Sequence, residues 1–183
     1  MAILSTLTDP LPYHLLSYGT LLGSQIYQTF VLTRITFRAL PDREFLLLQK
    51  RLFPVYFRCQ LGLALLSATT RPPSLPGRAW YRHPWAWNWD SVPLAIVGAT
   101  GLLNWLVYGP GCSRAVAARW LLQDAKSNGD KVVDEEAVRR ATMKFSRHHA
   151  RTIHLNVIAL IATVWYVFGL VGGGALDRVG GLL

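Results

Sequence analysis

Cysteine, acidic side chains and charge of any kind are scarce in this sequence, and each scarcity excludes something. Two cysteines in 183 residues, Cys59 and Cys112, leave no disulfide framework and no cysteine-rich zinc site. Only 16% of the residues are charged, against roughly 25% in soluble domains. Asp and Glu number 10 against 19 Lys and Arg, a formal net charge of +9. The first 12 residues contain no Lys or Arg, so neither the basic start of a signal peptide nor the Arg-rich helix of a mitochondrial transit peptide is expected there. No Asn-x-Ser/Thr acceptor occurs. The glycines at 169 and 172–174 are followed by no Lys-Ser or Lys-Thr, so they read as a helix end and not a phosphate loop.

What the chain has is apolar length. The apolar set makes up 51% of it and its mean hydropathy is +0.25. A membrane helix needs about 20 mostly apolar residues. Four segments approach or meet this, at about 13–37, 54–70, 91–108 and 153–171. The expectation is an all-α, polytopic membrane protein: one domain, a four-helix transmembrane bundle with a cytosolic helical hairpin extension at 109–152. Pro54 suits the first turn of the second span, and Arg71-Pro72-Pro73 ends it. Within the extension, 115–124 reads as a helix and 127–130 as a turn. Asp134 caps one long final helix to about residue 171.

Basic residues orient the spans. The connections after the first and third spans hold 13 Lys and Arg, against four on the other side, Arg71, Arg78, Arg82 and Arg178. Under the positive-inside rule the basic connections are cytosolic and both termini lumenal. A basic stripe on a polar surface would suggest nucleic acid; basic residues flanking apolar runs do not, and no nucleic-acid partner is expected. Trp80, Tyr81, Trp85, Trp87 and Trp89 form an interfacial aromatic belt opposite. An endomembrane, either endoplasmic reticulum or secretory vesicles, is favoured over mitochondria.

The string His14, Ser17-Tyr18-Gly19, Gly23, Gln28-Thr29-Phe30, Phe37-Arg38-Ala39-Leu40-Pro41, Phe45, Gln49 and Leu52-Phe53-Pro54-Val55-Tyr56-Phe57 resembles the transmembrane protein 205 family, small four-span eukaryotic proteins. Asn104, Trp105, Pro110, the run 145–149 and Asn156 agree more loosely. Where that family has a tryptophan in the first span, this chain has Tyr27, or Ile26 in a slipped register. The resemblance implies the topology and an association with vesicular membranes and with resistance to toxic metal drugs. It implies no reaction.

Polar residues at membrane depth are costly and face the bundle interior. On the first span, His14, Ser17, Tyr18, Gln25 and Gln28 share a face at helical spacing. His14 and Tyr18 fall at its lumenal end. Gly19 and Gly23 lie opposite, as a Gly-x-x-x-Gly packing signal that could also serve a homo-oligomer or a membrane-protein partner. Toward the cytosolic side Gln25, Gln28, Arg58, Asn104, His149 and Asn156 form a candidate intramembrane polar site. Against that stands interhelical hydrogen-bonding, worth about 0.6–2 kcal/mol per residue, and snorkelling of Arg58 to headgroups. His148, His149 and His154 invite metal or haem, but neighbouring side chains diverge on a helix and no acid or cysteine accompanies them. No metal and no cofactor are expected. Cys112 is a palmitoylation candidate. Lys144, Arg147 and Arg151 lie close to the cytosolic surface, where anionic lipid headgroups would attract them.

The reading favoured by the residues is a multi-pass protein without catalytic activity that binds or adapts partners, lipids or small molecules. A transporter or exporter of a small molecule or metal complex is the first alternative. A haem- or quinone-dependent membrane redox enzyme is the second.

Overall fold

The computed structural model describes residues 9–71, 91–127 and 134–170. The aromatic belt of 72–90, most of the 127–130 turn and the glycines of 172–174 lie outside them. No strand occurs among the described residues.

Helix α1, Pro10–Ile26, begins where Asp9 accepts the Leu11 N–H at 3.0 Å, with Pro10 in the first turn, where its missing N–H costs no bond. It continues through a π turn, Tyr27–Leu32, into α2, Thr33–Ala39. Helix α3 is Asp42–Thr69, with Asp42 and Glu44 in its first turn, at the positive end of the helix dipole. Helix α4, Val92–Leu103, passes through a second π turn, Asn104–Tyr108, into α5, Gly109–Ser127. Helix α6, Glu135–Leu170, has 36 residues. Asp134 caps it by accepting the Glu136 N–H at 2.9 Å.

The second span was expected to begin at Pro54. Instead α3 starts at Asp42 and takes Pro54 into its interior. Proline there has no N–H for the Lys50 carbonyl, yet the flanking Leu-rich sequence and the packing of the helix carry it through. Helix α3, the rod Val92–Ala125 and α6 are each long and apolar enough to cross a membrane. Helix α1 has 17 residues before its π turn and is not one of these three.

The core holds Tyr18, Leu21, Ala64, Leu94, Val97, Ala162 and Tyr166. Outward, Leu15, Leu16, Phe30, Leu65, Leu106, Ile161 and Phe168 are each more than half exposed. So wide an apolar surface has no stable place in water. Gly19 and Gly23 belong to this outer surface: a Cβ built on either meets nothing within 4 Å. Among the described residues they bring no two helices of this chain together. The buried stripe of α1, His14, Ser17, Tyr18, Leu21 and Gln25, occupies the inner face and leaves the glycines on the other.

Candidate functional site

Two polar regions occupy opposite ends of the bundle, and they differ in how fully their hydrogen bonds are made. At the end where α1 begins, His14 is 1% exposed. Its Nδ1 lies 2.9 Å from the Ser67 carbonyl and its Nε2 3.2 Å from the Tyr166 hydroxyl. The carbonyl can only accept, so the proton sits on Nδ1 and Nε2 accepts from Tyr166. Ser67 Oγ donates to Ser17 Oγ at 3.1 Å, and Tyr18 Oη donates to the Thr163 carbonyl at 2.9 Å. The Arg71 guanidinium stands 5.9 Å from the Tyr166 ring. These bonds tie α1, α3 and α6 into a clasp in which both ring nitrogens of His14 are engaged.

The other region is a chamber of about 350 Å³ at the end carrying the basic connections. Its walls come from Thr33 of α2, the stretch of α3 from Phe45 to Phe57, the second π turn, α5, and α6 at Phe145, His149 and Thr152. Rings of Phe45, Phe53, Phe57, Trp105 and Phe145 make it apolar. Polar groups intrude at chosen points. Gln49 is 5% exposed and neither amide atom has a hydrogen-bond partner. Asn104 is 1% exposed; its Nδ2 donates to the Thr152 carbonyl at 3.4 Å, while its Oδ1 is unpartnered. Buried polar atoms are nearly always satisfied. An apolar cavity with orphaned amide atoms on its wall is a setting for a hydrogen-bonding ligand.

Both π turns stand beside this chamber, the first ending against Thr33 and the second contributing Asn104 and Trp105 to the wall. Single π turns inside α-helices often mark functional sites. The first is closed by the Thr33 N–H, and Thr33 Oγ1 also donates to the Gln28 carbonyl at 2.7 Å. The second is closed by the Gly109 N–H on the Asn104 carbonyl. A Cβ at position 109 would lie 2.7 Å from that carbonyl oxygen, so any other residue there must shift the backbone of the turn that presents Asn104 and Trp105. Two residues on, a Cβ at Gly111 would lie 2.7 Å from the His148 ring, so α5 and α6 also meet through a glycine.

The structure sorts the sequence-derived residues. Asn104 and His149 reach the chamber, His149 stacked on Phe145 at 5.4 Å between ring centroids. Asn156 lies deeper, accepting from Tyr56 Oη at 3.0 Å and donating to Thr29 Oγ1 at 3.1 Å. Gln28 is turned to its own helix, donating to Thr33 Oγ1 at 3.3 Å. Gln25 is fully buried without partner. Arg58 is exposed and bonds the Pro54 carbonyl of its own helix at 3.0 Å. The expected convergence therefore does not include Arg58 or Gln28, because each finds a partner within one turn. His148, His149 and His154 point apart, and no three His, Cys, Asp or Glu among the described residues could hold a metal.

Sequence reasoning missed Gln49 as a site residue, and Gln60, which is 1% exposed and also without partner. Gln49 precedes the span expected from Pro54 and lies on the turns by which α3 extends back to Asp42. Cys112 is half-buried on the chamber wall.

Compared with known proteins, the chain matches at residues 16–120 the profile of a domain of unknown function, DUF4149. That stretch covers Gln49 and Asn104 but stops before α6. The chain is also similar to the "Xanthocillin biosynthesis cluster protein D" of Aspergillus fumigatus, 48% identical over 169 residues, 92% of this chain and 94% of that protein. No solved structure matches.

Proposed function

The chain belongs to the DUF4149 domain family, and from that premise we propose that it is a four-span membrane protein that binds a small molecule in the chamber at its basic end. The rod from Pro10 to Ala39 supplies the fourth span, since α1, its π turn and α2 follow one another without a break. The excess of Lys and Arg around the chamber end makes that end cytosolic, with both termini lumenal. Apolar helices of this length fit an endomembrane. The string 52–57, which carries the resemblance to the transmembrane protein 205 family, supplies Phe53, Pro54 and Phe57 to the chamber wall.

The observation that carries the binding reading is Gln49. Leaving a buried amide unsatisfied costs about 1–3 kcal/mol. A ligand that supplies the missing partners recovers that loss, whereas an apolar side chain at 49 would have served packing alone. A relative named for a biosynthesis cluster sits well with the handling of a small organic molecule. The role is one of binding, without turnover.

The test is saturable binding by full-length protein in lipid nanodiscs. An apolar fluorescent probe, N-phenyl-1-naphthylamine, is expected to bind one-to-one above the background of empty nanodiscs. Val116→Trp, which fills the chamber, is expected to abolish the saturable part. Identical isotherms for the two proteins would overturn the reading.

Transport is the second reading, favoured by amides that continue inward from the chamber. Ser17 contacts Ser67; Gln25 lies eight residues on along α1 and Gln60 seven residues back along α3. Both therefore sit at one depth, roughly 11 Å along the bundle from the serine pair. Flux of a bound compound across proteoliposomes, reduced by Gln60→Leu, would support it, and binding without flux would exclude it.

A further inference from the structure

The chamber's lining also constrains the chemistry of what enters it. We propose that its ligand is a small amphipathic acid: a ring-sized apolar body, one anionic head, and a hydrogen-bond donor. The proposal rests on the binding reading and adds the ligand class.

Size comes first. A volume of about 350 Å³ lies at the low end of ligand cavities, about 300–1,000 Å³, and admits a molecule of one to three rings. A two-chain phospholipid does not fit. The five rings of the wall favour flat apolar or aromatic bodies, which they can stack or meet edge-on.

Charge comes next. No Asp or Glu lines the chamber, and its ionisable side chains are Lys50, His149 and Cys112. Lys50 adjoins the orphaned Gln49 in sequence and, unlike Gln49, is exposed, which places its ammonium at the mouth. The neighbouring basic residue Arg43 is taken by Asp124 at 3.3 Å, whereas Lys50 has no carboxylate in salt-bridge range among the described residues. An acid entering head-last meets Lys50 without displacing another anion, and an organic cation meets nothing of opposite charge.

Hydrogen bonding completes the class. Gln49 offers an amide donor and an amide acceptor, both unused, and Asn104 Oδ1 is a second unused acceptor. A ligand with acceptor atoms alone would leave Asn104 Oδ1 unsatisfied. A hydroxyl or N–H on the apolar body answers it, while an oxygen of the acid can accept from Gln49 Nε2.

The experiment uses two probes with the same anilinonaphthalene body and N–H: 8-anilinonaphthalene-1-sulfonate, which carries the acid, and N-phenyl-1-naphthylamine, which lacks it. Each is titrated against full-length protein in zwitterionic phosphatidylcholine nanodiscs, read by energy transfer from tryptophan, with empty nanodiscs subtracted. The sulfonate is expected to bind about tenfold tighter, the ratio that corresponds to roughly 1.4 kcal/mol. Lys50→Gln should remove that preference, bringing the affinities of the two probes together, and Gln49→Leu should weaken both. Equal affinity of the two probes, or an intact preference in Lys50→Gln, overturns the acid class while leaving binding in place. Failure of both probes to bind overturns the binding reading itself. Displacement of the sulfonate by phosphatidic acid added to the nanodiscs would assign the site to a lipid and also overturn the proposal.

Discussion

Tyr56 and Asn156, 100 residues apart in sequence, meet through a 3.0 Å hydrogen bond from the tyrosine hydroxyl to the amide oxygen. The same amide donates to Thr29 at 3.1 Å, so one asparagine joins three helical rods just beyond the chamber. Hydrogen bonds between membrane helices average about 0.6 kcal/mol and reach about 1.7. A double-mutant cycle of Tyr56→Phe and Asn156→Leu, measured by unfolding in detergent, is expected to give a coupling in that range. Strict additivity would show that the pair carries no interaction energy.

Gln25 and Gln60 behave differently, because neither amide has a partner. Gln25→Met and Gln60→Met keep the length of the side chain and remove the unsatisfied atoms. Each is expected to raise stability by about 1 kcal/mol, visible as a higher thermal midpoint. A lower midpoint would mean that the amide is hydrogen-bonded in the membrane, through water or a bound molecule.

Two nearby glycines separate backbone from side-chain constraint. Gly109→Ala drives a Cβ onto the Asn104 carbonyl oxygen, a backbone atom that cannot step aside without undoing the π turn. The expected loss is about 2–3 kcal/mol, together with loss of probe binding as Asn104 and Trp105 turn away. Gly111→Ala meets only the His148 ring. His148→Ala in the same chain should therefore restore most of the stability lost there and none of that lost at 109.

Lys144, Arg147 and Arg151 are exposed on α6, and Arg151 also lies 5.7 Å from the Tyr108 ring. Arg140, by contrast, is held by Asp134 at 3.2 Å and Glu136 at 3.7 Å. Anionic headgroups attract a basic residue near the surface by about 1 kcal/mol. Changing all three to Gln is expected to reduce enrichment of phosphatidylserine around the reconstituted protein, with Lys144 and Arg147 dominating. Unchanged enrichment in a correctly inserted triple variant would leave these charges with topology alone.

Helical periodicity was enough to find the inner face of α1, since His14, Ser17, Tyr18 and Gln25 recur at one angle and are all buried. The cap at Asp134 was equally plain, because an acid followed by two more marks the positive end of a helix dipole. What periodicity could not reveal was which polar side chains reach across helices. Gln28 satisfies itself within one turn, and Gln49 does not; both are glutamines near a span boundary. The π turns were hidden for a related reason. They depend on which carbonyl an N–H selects, and nothing in the residue types at 27–32 differs from ordinary helix. At 104–108 the signal is the glycine that follows, whose missing Cβ matters only through its close approach to the Asn104 carbonyl in space.

Each π turn has an evolutionary corollary. Such a turn holds one residue more than the α-helical turn it replaces, so it behaves as a single-residue insertion absorbed on the spot. Removing one residue within 27–32 or 104–108 would let the helix close up as ordinary α-helix while the faces before and after keep their partners. Removing one anywhere else in the same rods swings every later side chain by about 100°. Gaps of one position in alignments of this family should therefore gather at these two places. A homologue with such a gap would retain the clasp at His14 and the apolar exterior, yet have lost a π turn beside the chamber, where Thr33 or Asn104 and Trp105 join the wall.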